Sequence, residues 1–164
     1  MKYFSTNNKD IKVSFIEALM SGMPNDQGLY MPEYIPDHHL FIKELSSLSF
    51  QDISFVIADS FLNEDFKKSE IEDIVDKSIT FDSPLEQINK NVQIVELFHG
   101  PTLAFKDFGA RFMARTMEKV VASHNRKLNI LVATSGDTGS AVANGFYQVE
   151  GINIIILYPS KKVS

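Results

Sequence analysis

The last forty residues leave this chain few choices of fold. Asn129 to Thr134 reads as a buried strand, Ser135 to Gly139 as a tight loop and Ser140 to Tyr147 as a helix. Ile152 to Tyr158 reads as a second strand, ended by Pro159. Two short apolar runs with a helix between them cannot close as a hairpin. They pair in parallel, and the crossover is right-handed. Ligands of open parallel sheets sit beyond the carboxyl ends of the strands. The loop after Thr134, and the one that leads to Lys106 upstream, are therefore expected at or near that end.

The rest of the chain divides on its pattern. Residues 1–90 read as a mainly helical domain, and 91–164 as the first part of an α/β domain. Ser14 and Glu17 have capping-box spacing before the apolar stretch Phe15 to Met20, with Gly22 as a stop. Pro24, Asn25, Asp26 and Gly28 mark a turn, and Gly28 to Pro32 reads as an extended segment. Phe50, Ile53, Ile57 and Phe61 share one helical face behind a Ser49 cap. A second box, Ser69 with Glu72, is expected to open a helix that buries Ile71, Ile74 and Val75. Val92 to Leu97 is a candidate strand, followed by a loop with two structure breakers, Gly100 and Pro101. Phe108, Phe112, Met117, Val120 and Val121 then recur near a 3.6 period, with Arg111, Arg115 and Lys119 on another face.

Composition narrows the function classes. The chain has 164 residues, 44% of them hydrophobic and 23% charged, as expected of a soluble globular protein. Without cysteine it has neither disulfides nor thiolate metal sites, and no metal site is expected. No apolar run approaches the ~20 residues of a membrane span, and the N-terminus lacks the apolar core of a secretion signal. A cytoplasmic protein with no membrane partner is the expectation. Residues 1–90 carry 8 lysines against 16 acidic residues, and residues 91–164 carry 8 basic against 5 acidic residues. That mild basic excess suits a small anionic ligand and falls short of a nucleic-acid-binding patch.

Two segments could carry chemistry. Lys106 follows Leu103-Ala104-Phe105 and precedes Asp107-Phe108 at the start of a helix. Most lysines are solvated surface groups. Here apolar neighbours and the positive end of the helix dipole both disfavour the ammonium, and a free amine is what condenses with an aldehyde. Asp107 complements the same dipole and could be a helix-start residue only. In Thr134-Ser135-Gly136-Asp137-Thr138-Gly139 the glycines allow a sharp turn, and the amides of the helix start offer an anion cradle. A plain strand-to-helix turn, capped by Asp137 or Thr138, is the commoner meaning of such a loop. The terminal Gly-Lys-Ser/Thr of a P-loop is missing.

Together the two segments are far more specific. Glu96-Leu97-Phe98-His99-Gly100-Pro101-Thr102-Leu103-Ala104-Phe105-Lys106-Asp107-Phe108-Gly109 resembles the cofactor-lysine segment of threonine synthases. Ala133 to Gly139 resembles the substrate-carboxylate loop of that family. Val13-Ser14-Phe15 and Gly28-Leu29-Tyr30-Met31-Pro32 look like its opening domain. Related fold-type II enzymes usually have Asn where this chain has Asp137, and lack the Phe-His-Gly-Pro-Thr lead-in.

The resemblance implies a fold-type II pyridoxal-phosphate enzyme that converts O-phospho-L-homoserine and water to L-threonine and phosphate. Lys106 would bind the cofactor as an imine and then shuttle protons. Thr134, Ser135, Gly136 and Thr138 would hold the substrate carboxylate, and Asp137 would lie near the cofactor's phenolic oxygen. His99 would be a loop hydrogen-bonder or a group near the substrate phosphate. Family members are more than twice this length, and their cofactor-phosphate loop comes later. The chain is thus expected to be a fragment or truncated product, with an incomplete α/β domain and no activity alone. It would be prone to self-associate along the open edge Ile152 to Tyr158. Another fold-type II lyase or dehydratase, or a non-catalytic module that binds anions or partner chains, is the alternative.

Overall fold

A computed structural model describes residues 1–124, 127–134 and 136–160. The chain divides into two units, Met1–Val75 and Asp76–Ser164. The sequence boundary at residue 90 falls in the turn of a hairpin of the second unit.

The first unit is built on a small antiparallel sheet in which β1 (Tyr3–Ser5) lies between β2 (Lys12–Val13) and β3 (Tyr30–Pro32). Pro32 donates no backbone hydrogen bond and sits on an edge strand, where none is needed. Side chains of β1 alternate, so Tyr3 and Ser5 point inward. Met1, Tyr3 and Ala18 form a core with Val13, Phe15, Tyr30 and Phe61 packed around it. Phe15 meets Tyr3 and Phe66 edge to face, at 5.7 and 6.3 Å. Burial, assisted by the Asp65 charge, pushes the Tyr3 phenol up to about 12.

The expected caps form at two helices. In α1 (Phe15–Ser21) the Ser14 hydroxyl accepts from the Glu17 N–H, and the Glu17 carboxylate accepts from the Ser14 N–H. Gly22, at φ 70°, ends the helix. In α2 (Phe50–Leu62), Ser49 and Asp52 make the same reciprocal pair, so the N3 acid is aspartate. A 3-10 turn, Phe41–Ser47, precedes α2. The third helix, α3 (Lys68–Ser78), departs from expectation. It starts before Ser69, and its reciprocal bond runs from the Lys67 N–H to the Glu70 carboxylate. Ser69 and Glu72 lie inside the helix, because it has already begun at Lys68. Ile71, Ile74 and Val75 are fully buried, as the periodicity predicts.

In the second unit, β4 (Leu85–Asn89) and β5 (Val92–Val95) pair antiparallel. The partner strand β4 was not foreseen: every residue of both strands is exposed, so no hydrophobic alternation announces it. Next come α4 (Lys106–Ser123), β6 (Leu128–Ala133), α5 (Asp137–Phe146) and β7 (Ile152–Leu157). β6 and β7 pair in parallel, Leu128 with Ile152 through Ala133 with Leu157. The expected βαβ unit is present. Its strands alternate half-buried and exposed residues, so one sheet face is covered and the other carries exposed Leu131, Ile155 and Leu157.

Helix α4 packs on α5 through small side chains. Ala110 and Ala114 join Ala141, Val142 and Phe146 in one core, with Met113, Met117 and Ile154 against it. A Cβ on Gly145 would stand only 3.0 Å from the Ala110 carbonyl carbon, so the two backbones nearly touch. The basic face of α4 is put to use. Arg111 donates to the carbonyl oxygens of Lys77 and Ser78 and to the Thr80 hydroxyl, at 3.1, 3.1 and 3.0 Å. It thereby binds carbonyls at the C-terminal end of α3.

Two predictions follow from these contacts. A larger side chain at the fully buried Ala114 must push α4 off its neighbours. Ala114→Leu should destabilise the second unit by about 1–3 kcal/mol, read by urea unfolding. Separately, bonds from the Ser14 backbone and hydroxyl hold the Glu17 carboxyl below its ordinary range, and the Ser49 hydroxyl and backbone do the same for Asp52. A carboxyl depressed by folding adds stability above its unfolded value and loses it as pH falls through the folded value. Stability should therefore drop on acidification below the ordinary carboxylate range, and Ser14→Ala with Ser49→Ala should flatten that acid limb in urea titrations.

Candidate active site

The loop of residues 100–105 delivers Lys106. Leu103 has φ 58°, a left-handed conformation rarely adopted by a leucine, and such backbone costs about 1–3 kcal/mol unless its surroundings hold it. The Leu103 N–H bonds the Gly100 carbonyl at 3.1 Å, and the Asp107 N–H bonds that of Ala104 at 3.0 Å. Phe105, the N-cap of α4, makes no side-chain capping bond.

What closes the loop is Asp107. It is fully buried, and both its oxygens accept from one residue: the Thr102 N–H donates to Oδ2 at 2.9 Å and the Thr102 hydroxyl to Oδ1 at 2.7 Å. A helix-start acid that serves only the dipole would sit in water, so Asp107 does more than the sequence reading allowed it. Gly100 is required beside it. A Cβ there would lie 2.5 Å from Asp107 Oδ2, 2.7 Å from its Cβ and 2.8 Å from the Phe81 ring. Phe81 in turn packs on Phe108 at 4.6 Å.

Lys106 is half-buried at the first position of α4, with Nζ 4.3 Å from the centre of the Phe105 ring. The apolar shell expected around it is only partly built, since Leu103 is 74% and Phe105 60% exposed. His99 bonds Glu96 at 2.7 Å and stacks on Phe98. It is a hydrogen-bonder of this loop.

At the carboxyl ends of β6 and β7 lies a cavity of about 220 Å³, lined by Thr134, Gly136, Gly139, Ser140, Ala143, Ile156 and Tyr158. It stands where the parallel sheet was expected to offer a ligand site. The N-cap of α5 is Gly136, with no side-chain capping bond, which corrects the expected cap by Asp137 or Thr138. Asp137 begins the helix and is exposed, and Thr138 is half-buried. In the first turn the Gly139 N–H bonds the Gly136 carbonyl at 2.9 Å. The Thr134 hydroxyl accepts from the Gly136 N–H at 3.4 Å. Gly139 lets Thr134 close over the helix, because a Cβ at 139 would come within 2.4 Å of the Thr134 methyl. Ser135, expected in this site, lies outside the described residues.

The structure thus puts Thr134 and Gly136 on one cavity, and adds Gly139, Ser140, Ala143, Ile156 and Tyr158 to it. Lys106 does not line that cavity. Asp107 and Thr102 were missed as partners. Their only trace in the sequence is an acid set in an apolar run five residues after a threonine. Among the described residues no group of histidines and carboxylates has the arrangement of a metal site, and no helix is long and apolar enough to cross a membrane.

Because any side chain on Gly100 collides with Asp107 and Phe81, Gly100→Ala should unseat the loop. We expect a loss of about 1–3 kcal/mol in urea unfolding, with faster amide exchange across residues 100–107.

The chain was compared with known proteins. Residues 2–79 match the family model described as threonine synthase N terminus. The threonine synthase of Haemophilus influenzae is 42% identical over 164 residues, which cover 100% of this chain and 38% of that protein. A crystal structure of PLP-bound threonine synthase from Brucella melitensis superposes with a TM-score of 0.93 at 35% identity, covering 100% of this chain and 37% of that one. The crystal structure of threonine synthase from Escherichia coli gives a TM-score of 0.88 at 38% identity, with 100% and 38% covered. The chain therefore spans little more than a third of the length of the relatives it matches. Along its whole length, in sequence and in fold, it is similar to the N-terminal part of the threonine synthases.

Proposed function

We propose that the full-length protein carrying this chain is a pyridoxal-phosphate-dependent threonine synthase. It would act in the cytoplasm on O-phospho-L-homoserine and water, and release L-threonine and phosphate. The observation that carries this reading is the lysine motif, in a chain matched end to end by a PLP-bound threonine synthase.

The residues present fit such a cofactor. One primary amine, Lys106, sits at the first position of a long helix behind a loop fixed by Asp107. A second loop, at the end of a parallel strand, puts a glycine at the start of a helix beside a cavity, where helix amides can face an anion. When bound, pyridoxal phosphate supplies an electron sink for carbanions of the amino-acid substrate. Lys106 would provide the amine that links to the cofactor aldehyde and, once released, would carry protons to and from substrate carbon. Thr134, Ser135, Gly136 and Thr138 would orient the substrate carboxylate, and Asp137 would stand near the cofactor's phenolic oxygen.

Borohydride reduction of the full-length enzyme should trap the cofactor on Lys106, and Lys106→Ala should lower turnover by several orders of magnitude. Label on another lysine, or near-normal turnover, would overturn the assignment. Ser135→Ala should weaken substrate binding by about 1 kcal/mol, for one hydrogen bond to a charged group, with cofactor affinity little changed.

The 164-residue chain alone should neither turn over substrate nor bind the cofactor tightly. It should self-associate through the open strand edge along Ile152 to Tyr158, where Ile155 and Leu157 are exposed. Absorbance on mixing with pyridoxal phosphate tests the first point and sedimentation the second. Tight stoichiometric binding by a monomer would contradict both.

A further inference from the structure

We propose that Asp107 is a positioning residue: through Thr102 its buried carboxylate holds the left-handed turn at Leu103 and thereby fixes where the Lys106 amine is presented. The proposal rests on the reading of Lys106 as the cofactor lysine. Three observations converge on it. First, the carboxylate is fully buried, and both its oxygens accept from a single residue five positions back, which closes the loop between them. Second, apart from two backbone bonds, Leu103 N–H to Gly100 and Asp107 N–H to Ala104, little else among the described residues holds that loop. Leu103 and Phe105 face solvent, Leu103 is in a conformation that side chains disfavour, and the helix N-cap has no side-chain bond. Of the residues between the clamp partners, only Ala104 is buried besides the half-buried Lys106. Third, Gly100 and Phe81 wall the carboxylate in, so it cannot swing away while the fold is intact. Since Asp107 adjoins Lys106, any slack at the clamp moves the amine directly.

The test uses the full-length enzyme with Asp107→Asn, Thr102→Val and Thr102→Ser. Misplacement of a reacting group is felt in turnover more than in ground-state binding. Asp107→Asn and Thr102→Val should lower kcat roughly ten- to hundredfold, with KM for O-phospho-L-homoserine within about twofold. Thr102→Ser keeps both donors and should restore kcat. Leu103→Gly, which relieves the turn, should recover part of the loss in the Asp107→Asn background. Amide exchange over residues 102–107 should quicken in Asp107→Asn and Thr102→Val without cofactor present. Unchanged kcat in folded variants, a KM effect with kcat intact, or unchanged exchange would each overturn the proposal. Where Asp107→Asn does not fold, Thr102→Val carries the same comparison. Should borohydride label a lysine other than 106, the cofactor assignment falls, and the exchange measurement still decides whether the clamp holds the turn.

Discussion

Everything in the second unit rests on how closely α4 can lie on α5. The distance is set by the smallest side chains: the methyls of Ala110 and Ala114 on one helix, and Ala141 with the bare Cα of Gly145 on the other. At that separation Met113, Met117, Phe146 and Ile154 close the gaps around the contact. Interiors are packed to crystal-like density, so a bulkier residue at the crossing cannot be absorbed locally. The crossing fixes the position of α4, and α4 carries Lys106 at one end and the Arg111 anchor one turn further on.

Rigid support matters because the loop before Lys106 is not stable by itself. A leucine at φ 58° and two exposed apolar side chains are local costs. They are offset by the buried Asp107–Thr102 contact, and by a glycine at the one place where a Cβ would break it. The other loop is arranged differently. It follows a strand and has glycine at the cap position, beside a cavity. Under the proposed function, the first loop would present an amine and the second would offer donors to an anion.

Much of this was legible in the residues. Ser14 with Glu17 and Ser49 announced two helices, because a cap is a local hydrogen bond between residues three apart. The βαβ unit was legible because short apolar runs around a helix have one topology open to them. Local rules also misled. Ser69 with Glu72 has the right spacing and does not cap, since the helix had already begun at Lys68. Strand β4 gave no signal, because its exposed residues lack the alternation that burial imposes.

The sequence alone determined the helices with clear caps, the parallel pairing and the resemblance to a family, all of which depend on near neighbours, motifs or period. Only the tertiary structure decided the surroundings of Asp107, the glycine N-cap of α5 and the contacts of Arg111 with the end of α3. An acid in the first turn of a helix looks the same in sequence whether it faces water or is buried. Its burial depends on Gly100 and Phe81, brought to it by folding. The cavity at the carboxyl ends of β6 and β7 has the same origin, since Ile156 and Tyr158 reach Thr134 only because two strands distant in sequence lie side by side.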